Sequence, residues 1–174
     1  MAKHSIENWF NLYEKDITSF LIYYTGSMDV EDLVQETFLI AMKKVSSFKG
    51  QSHPKTWLIS IARNIVIDRY RRRKVWNRIK YSLLKEHQLT NGSEEQAIVK
   101  EENTELYKAI YELSPRYKEV VILRGILELS SKEVSEILKS NVNQVNVTFH
   151  RALKKLKEQL VEEGLTSEEF TRKP

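Results

Sequence analysis

Apolar residues recur at intervals of three and four along most of the chain, and only five glycines and three prolines interrupt 174 residues. That spacing is what a helix imposes, because positions three and four apart share one face. Sustained strand-like alternation is missing, so the chain is predicted to be all-α. The residues Ile6, Trp9, Phe10, Tyr13, Ile17, Phe20, Leu21 and Tyr24 set a first helix from about Ser5 to Tyr24, closed by Gly26. A second helix is expected from near Asp29 to about Val45, with Val30, Leu33, Val34, Phe38, Ala41, Met42 and Val45 as its core stripe. On another face of it lie Asp32, Gln35, Glu36 and Leu39, an acidic row ending in a large apolar residue. Acids at a helix start also complement its dipole. An exposed leucine at the end of such a row, however, suits docking of a basic partner helix.

A polar loop, Ser46 to His53, leads to Pro54 at a first helical position and to the most charged stretch of the chain. Its first half carries Trp57, Leu58, Ile61, Ala62 and Ile65 on one face. From Arg63 to Lys80 there are then six Arg and two Lys against the single acid Asp68. Trp57, Tyr70 and Trp76 interleave rings with the cations. Phosphates attract such cations and bases can stack on such rings, whereas a solvated helix end is the blander explanation of a basic run. From Tyr81 to about Lys100 the periodicity loosens and the balance turns acidic, with a turn signal at Asn91-Gly92-Ser93. This is the expected flexible linker between two small helical domains, and its acidity would let it lie against the basic helix.

Beyond it, Leu106, Ala109, Ile110 and Leu113 form one helix, and Ser114-Pro115 cap the next, which holds Tyr117, Val120, Val121, Arg124 and Leu127. Ser130 and Glu133 have capping-box spacing before a short helix with Val134, Ile137 and Leu138. A break at Lys139-Ser140-Asn141 precedes a long helix whose stripe is Val142, Val145, Phe149, Ala152, Leu153, Leu156 and Leu160. Short helix, tight turn and second helix make the shape of a helix-turn-helix. Asn143, Gln144, Val147, His150, Arg151 and Lys154 are the candidate residues for reading duplex DNA there. The amides suit adenine edges, the valine a thymine methyl and the cations phosphate.

The formal charge of +4 and the pI near 9.1 are only mildly basic, so the clustering of cations matters more than their sum. Without cysteine there are no disulfides or thiolate metal sites, and four scattered histidines make a zinc site unexpected. No metal, cofactor or small-molecule substrate is expected. No apolar run approaches membrane-spanning length and the first residues lack a signal-peptide core, so a soluble cytoplasmic protein is expected.

Three segments in register resemble the extracytoplasmic-function group of bacterial sigma-70 factors. They are Asp32-Leu33-Val34-Gln35-Glu36-Thr37-Phe38; Thr56-Trp57-Leu58 through Ile61-Ala62-Arg63-Asn64 to Asp68-Arg69; and Leu113-Ser114-Pro115 through Val120-Val121-Ile122-Leu123-Arg124 to His150-Arg151-Ala152-Leu153. The resemblance spans about Ile6 to Leu160. It implies a sigma-2 domain at 1–80, a linker at 81–100, a sigma-4 domain at 101–164 and a tail at 165–174. Asp32, Gln35, Glu36 and Leu39 would dock the clamp coiled coil of the largest catalytic subunit of RNA polymerase. Phe48, Lys55, Trp57, Arg63, Asn64, Arg69, Arg71, Arg72 and Arg73 would bind and help melt the promoter −10 element, with 48–55 pocketing a flipped base. Asn143, Gln144, Val147, His150, Arg151 and Lys154 would read the −35 element. The group is typically held inactive by an anti-sigma factor, often membrane-anchored, and has no enzymatic activity of its own. Two departures stand out: Lys139 where many members have Gly, and Asn143-Gln144-Val145-Asn146-Val147-Thr148 where many have Gly-Thr-Val-Lys-Ser-Arg. These bear on which −35 sequence is read. A stand-alone helix-turn-helix regulator and a helical module binding another polyanion are the competing readings.

Overall fold

A computed structural model describes residues 6–83 and 104–162, with the side chains of 79–83, 104 and 162 left aside. Helices α1 (Ile6–Thr25), α2 (Glu31–Lys44) and α3 (Pro54–Leu83) form the first half. The second half holds α4 (Thr104–Glu112), α5 (Pro115–Val121), α6 (Ser131–Leu138) and α7 (Val142–Glu162). Among the described residues there is no strand. No helix there is long and apolar enough to cross a membrane.

The three-and-four spacing closes the first half as a three-helix cluster. Ile17, Phe20 and Leu21 of α1, Leu33, Val34, Phe38 and Ala41 of α2, and Leu58, Ile61, Ala62 and Ile65 of α3 are all buried. Gly26 ends α1 at φ 76°, a left-handed conformation that glycine adopts without steric cost. A Cβ there would also lie 3.0 Å from the Tyr111 ring, which reaches across from α4. Two expected core residues are instead substantially exposed, Met42 at 56% and Phe10 at 40%. Met42 lies one turn beyond Leu39 on the rim of the stripe, and the Phe10 ring meets Phe38 edge to face, 4.9 Å between centroids. The first residues of the expected linker prove helical, since α3 runs to Leu83. The remainder of that linker and the tail at 165–174 fall outside the described residues.

In the second half the cap signals act as local chemistry requires. Ser130 accepts from the Glu133 backbone N–H at 3.2 Å, while the Glu133 carboxylate accepts from the Ser130 backbone N–H at 2.8 Å, a complete capping box. The Ser130 hydroxyl hydrogen bond, more than any other contact, holds the Glu133 carboxyl below the usual glutamate range against a partial burial penalty. Its backbone bond and Thr56 help in the same direction, and so does the charge of Lys55. Asn141 caps α7 by accepting from the Gln144 N–H at 2.8 Å. The helix expected through Leu127 is not regular to its end. After Val121 it widens into a π-turn over Ile122–Ile126, with Leu127 N–H donating to the Ile122 carbonyl at 2.9 Å. The turn leaves Ile122 and Leu123 fully buried, and Arg124 Nη1 donates to the Leu129 carbonyl at 2.7 Å. Leu153 and Val142, expected in the α7 stripe, are each 42% exposed. The core contacts of α7 come instead from Val145, Ala152, Leu156 and Leu160.

Lys139 occupies the α6–α7 turn at φ 51°, ψ 46°, where its Cβ crowds the backbone. Replacing it with glycine is therefore expected to stabilise the chain by about 0.5–1 kcal/mol, less what glycine costs in the unfolded state. Thermal unfolding of K139G against wild type measures this, and a lowered Tm would contradict it.

Candidate nucleic-acid interface

The acidic row of α2 is presented to solvent. Asp32 and Gln35 are exposed, Glu36 is half-exposed and Leu39 is 55% exposed. Gln35 Nε2 donates to Glu31 Oε1 at 3.5 Å, one turn back along the same surface. Met42 continues the row beyond Leu39, so the acidic end leads into two adjacent apolar side chains rather than one. Spacing could have found it, because 39 and 42 are three apart. A partner helix carrying cations and a few apolar residues would match this strip.

Across the α2–α3 contact, Glu36 is paired with Arg69. The row and the basic helix therefore share one ion pair. Lys55, at the start of α3, pairs with Asp16 of α1 at 3.5 Å. Phe48 and Trp57 each stand edge-on to Trp9 and are tilted by 50° to each other, with centroid separations of 5.1–5.8 Å. Both are half-buried, so they form an aromatic wall beneath the 46–53 loop instead of projecting freely. Asn64 and the run Arg71, Arg72 and Arg73 are exposed.

Further along α3, Tyr70, Arg73, Lys74, Asn77 and Arg78 line an open cleft of about 380 Å³. Tyr70 (63% exposed) and Trp76 (65% exposed) supply ring faces among cations, the combination that binds single-stranded nucleic acid. Lys74, Asn77 and Arg78 were legible as part of the basic run but carried no position-specific signal.

Arg63 sits differently from the other candidates. Its Nε donates to Glu119 Oε1 at 2.6 Å and its Nη2 to Oε2 at 3.1 Å, so α3 is tied to α5 of the second half. Tyr24 Oη donates to the same Oε1 at 2.6 Å. Burial works against the charge on Arg63, yet the hydrogen bond and charge of Glu119 outweigh it and raise its pKa. Burial, then the negative charge of Glu119, pushes the Tyr24 phenol far above its usual range.

The helix-turn-helix face is open. Asn143, Gln144, His150, Arg151 and Lys154 are exposed, and Val147 is partly so. They line up along one side of α7 because Val145, Thr148, Ala152 and Leu156 turn the opposite side inward. Arg116 and Tyr117, at the start of α5, border the same face and close a hollow of about 360 Å³ with Asn143, Gln144, Val147 and Arg151. Sequence reasoning missed these two, since the fold brings α5 beside α7. No acid lines the hollow, which suits a phosphate-flanked groove.

Among the described residues, no group of three or more His, Cys, Asp or Glu could hold a metal ion. Two family models match the chain, Sigma-70 region 2 over residues 9–75 and Sigma-70, region 4 over residues 103–156. The RNA polymerase sigma factor YlaC of Bacillus subtilis is 33% identical over 168 residues, covering 91% of this chain and 93% of that protein. The ECF RNA polymerase sigma factor SigX of the same organism is 31% identical over 170 residues, covering 92% of this chain and 87% of the relative. Among solved structures, the sigma factor RpoE in complex with the anti-sigma factor NepR from Bartonella quintana has the same fold. It superposes with a TM-score of 0.69 at 24% identity, over 88% of this chain and 95% of that one.

Proposed function

The chain belongs to the sigma-70 family, as an alternative RNA polymerase sigma factor of the extracytoplasmic-function group, and we propose from this how its surfaces divide the work. Asp32, Gln35, Glu36 and Leu39, extended by Met42, dock a basic helix of core polymerase. Asn64, Arg69 and Arg71 to Arg73, with Arg63, Lys55 and the Phe48–Trp57 wall, take the −10 element and hold its separated strands. Asn143, Gln144, Val147, His150, Arg151 and Lys154 read the −35 element as duplex. The division into 1–80, 81–100, 101–164 and a 165–174 tail follows the same surfaces. One observation carries the proposal: the acidic row and the basic α3 stand exposed side by side within the residues that match region 2. A regulator that works without polymerase has no use for the first of these.

The division is physically economical. Parted strands offer phosphates and unstacked bases, which cations and rings hold, whereas a duplex is read by a helix in its major groove. Sigma factors are regulatory, non-catalytic proteins, and bond formation is assigned here to the polymerase. An anti-sigma factor is the proposed inhibitor, as NepR is the partner of the solved relative. The cytoplasm, where polymerase is found, is the proposed location.

Run-off transcription with purified core polymerase tests the proposal. Transcripts from a subset of candidate promoters that require both the chain and an intact −35 element are expected. DNA binding without any chain-dependent transcript would favour the stand-alone regulator. At the −35 element, Asn143→Ala or Gln144→Ala is expected to relax preference at one or two base positions, by roughly 1–3 kcal/mol each. Binding to a panel of single-base variants measures this, and an equal loss at every position would mean phosphate contact.

A further inference from the structure

Beyond its packed part, α3 runs on as an arm with no core face. Its last buried side chain among the described residues is Ile65, and every residue from Asp68 to Arg78 is exposed. Tyr70, Val75 and Trp76 on this arm are each more than half exposed. Large apolar side chains gathered among cations in this way mark a surface that meets a partner. Residues 76–83 also lie after the region 2 match and before the region 4 match, so the outer arm belongs to neither matched segment.

The order of residues around the arm says what the partner is. At about 100° per residue, Tyr70 and Asn77 fall on one line along it. Arg73 flanks that line on one side, and Lys74 and Arg78 flank it on the other. These five residues line the open cleft of about 380 Å³, and no acid is among them. Asp68, the single acid between Arg63 and Lys80, falls about 170° away, on the far side of the helix. A single strand needs only one row of cations beside its rings. Cations on both flanks of an uncharged line match instead the two phosphate walls of a duplex groove. The major groove is about 12 Å wide and a helix with its side chains about 10–12 Å across. Arg71 and Arg72 fall on the other side of the arm from Tyr70 and Asn77, which leaves them to the parted strands.

We propose that the outer arm of α3 lies in the major groove of the duplex that borders the −10 element on its upstream side, with Tyr70 and Asn77 turned to base edges and Arg73, Lys74 and Arg78 on the phosphates of the two walls. The contact rests on the −10 assignment proposed above, because that assignment brings this duplex beside the arm. Upstream is the side in question because the chain continues from Leu83 to the half that takes the −35 element. The amide of Asn77 suits an adenine edge, and the Tyr70 ring suits a thymine methyl. From Tyr70 to Arg78 the helix rises about 12 Å, the length of three to four base-pair steps at about 3.4 Å each. The chain thus reads the promoter at a third place, between the two named elements.

The test compares two labelled oligonucleotides, the −10 single strand alone and the same strand joined to a short upstream duplex. Fluorescence anisotropy gives the affinity of each for the full chain bound to core polymerase. The added duplex is expected to raise affinity about tenfold in the wild type. K74A/R78A should lose that gain while binding the strand alone as before. Its log–log salt slope on the joined DNA should fall by about 1.8, at about 0.9 for each duplex phosphate. N77A should flatten a preference of about tenfold at one base pair of the duplex. Alanine favours helix and these side chains touch no core, and circular dichroism establishes that the arm persists in each variant. A gain that survives K74A/R78A, or an equal loss on the strand alone, overturns the groove contact. The free chain with duplex alone separates this from the function proposed above. If the polymerase complex ignores the −10 strand while duplex binding by the free chain still depends on Lys74 and Arg78, the promoter role falls and the groove contact stands.

Discussion

Core polymerase is expected to bind the triple variant D32A/Q35A/E36A at least about a hundredfold more weakly than the wild type. None of the three side chains is buried, and alanine is the best helix former, so α2 should remain intact. Three truncations at the centre of a charged interface remove roughly 3 kcal/mol or more, and each 1.4 kcal/mol is a factor of ten. Leu39 and Met42 would still offer apolar area, so weak residual binding is consistent. The quantity to measure is affinity for polymerase rather than transcription, because losing Glu36 also releases Arg69 toward DNA. Fluorescence polarisation of labelled chain against core polymerase gives it directly. Unchanged affinity would move the docking surface elsewhere.

The second large effect concerns DNA. Charge reversal at Arg71, Arg72 and Arg73 is expected to lower affinity for the −10 single strand, and open-complex formation with it, by roughly two orders of magnitude at low salt. Each lost phosphate contact on a single strand removes about 0.7 from the log–log salt slope, so the slope should flatten by about 2. These arginines lie on the outer side of α3, away from Leu58, Ile61, Ala62 and Ile65, and their reversal leaves the core untouched. A salt slope equal to that of the wild type would show that the run is a solvated helix end with no phosphate partner.

The sequence was most informative where the determinant is local. The Ser130–Glu133 box needs only residues three apart, and it forms with both of its reciprocal bonds. The outward face of α7 followed from the helical period alone, because Val145, Ala152 and Leu156 fix which way the helix turns. The acidic row of α2 was exposed for the same reason. Legibility ended where distant segments decide. Period alone placed Met42 and Phe10 in the core, but among the described residues the packing leaves both substantially exposed. The π-turn after Val121 has no local marker; it is set by the fit of Ile122 and Leu123 into the core and by the Arg124–Leu129 bond. Arg63 was readable as a basic residue on a nucleic-acid face. Its carboxylate partner lies 56 positions away on another helix, and no periodicity reports such a pairing. Arg116 and Tyr117 joined the α7 face for the same long-range reason.

The central claim is that one half of the chain grips polymerase while an adjoining surface of that half holds parted strands. Its most direct measurement places 2-aminopurine in the −10 element of a promoter and follows fluorescence as polymerase and chain are added. Unstacking is expected to raise the signal only when both are present, and R71E/R72E/R73E should lose that rise while retaining polymerase binding. A rise of equal size with that variant, or with core polymerase alone, would contradict the account.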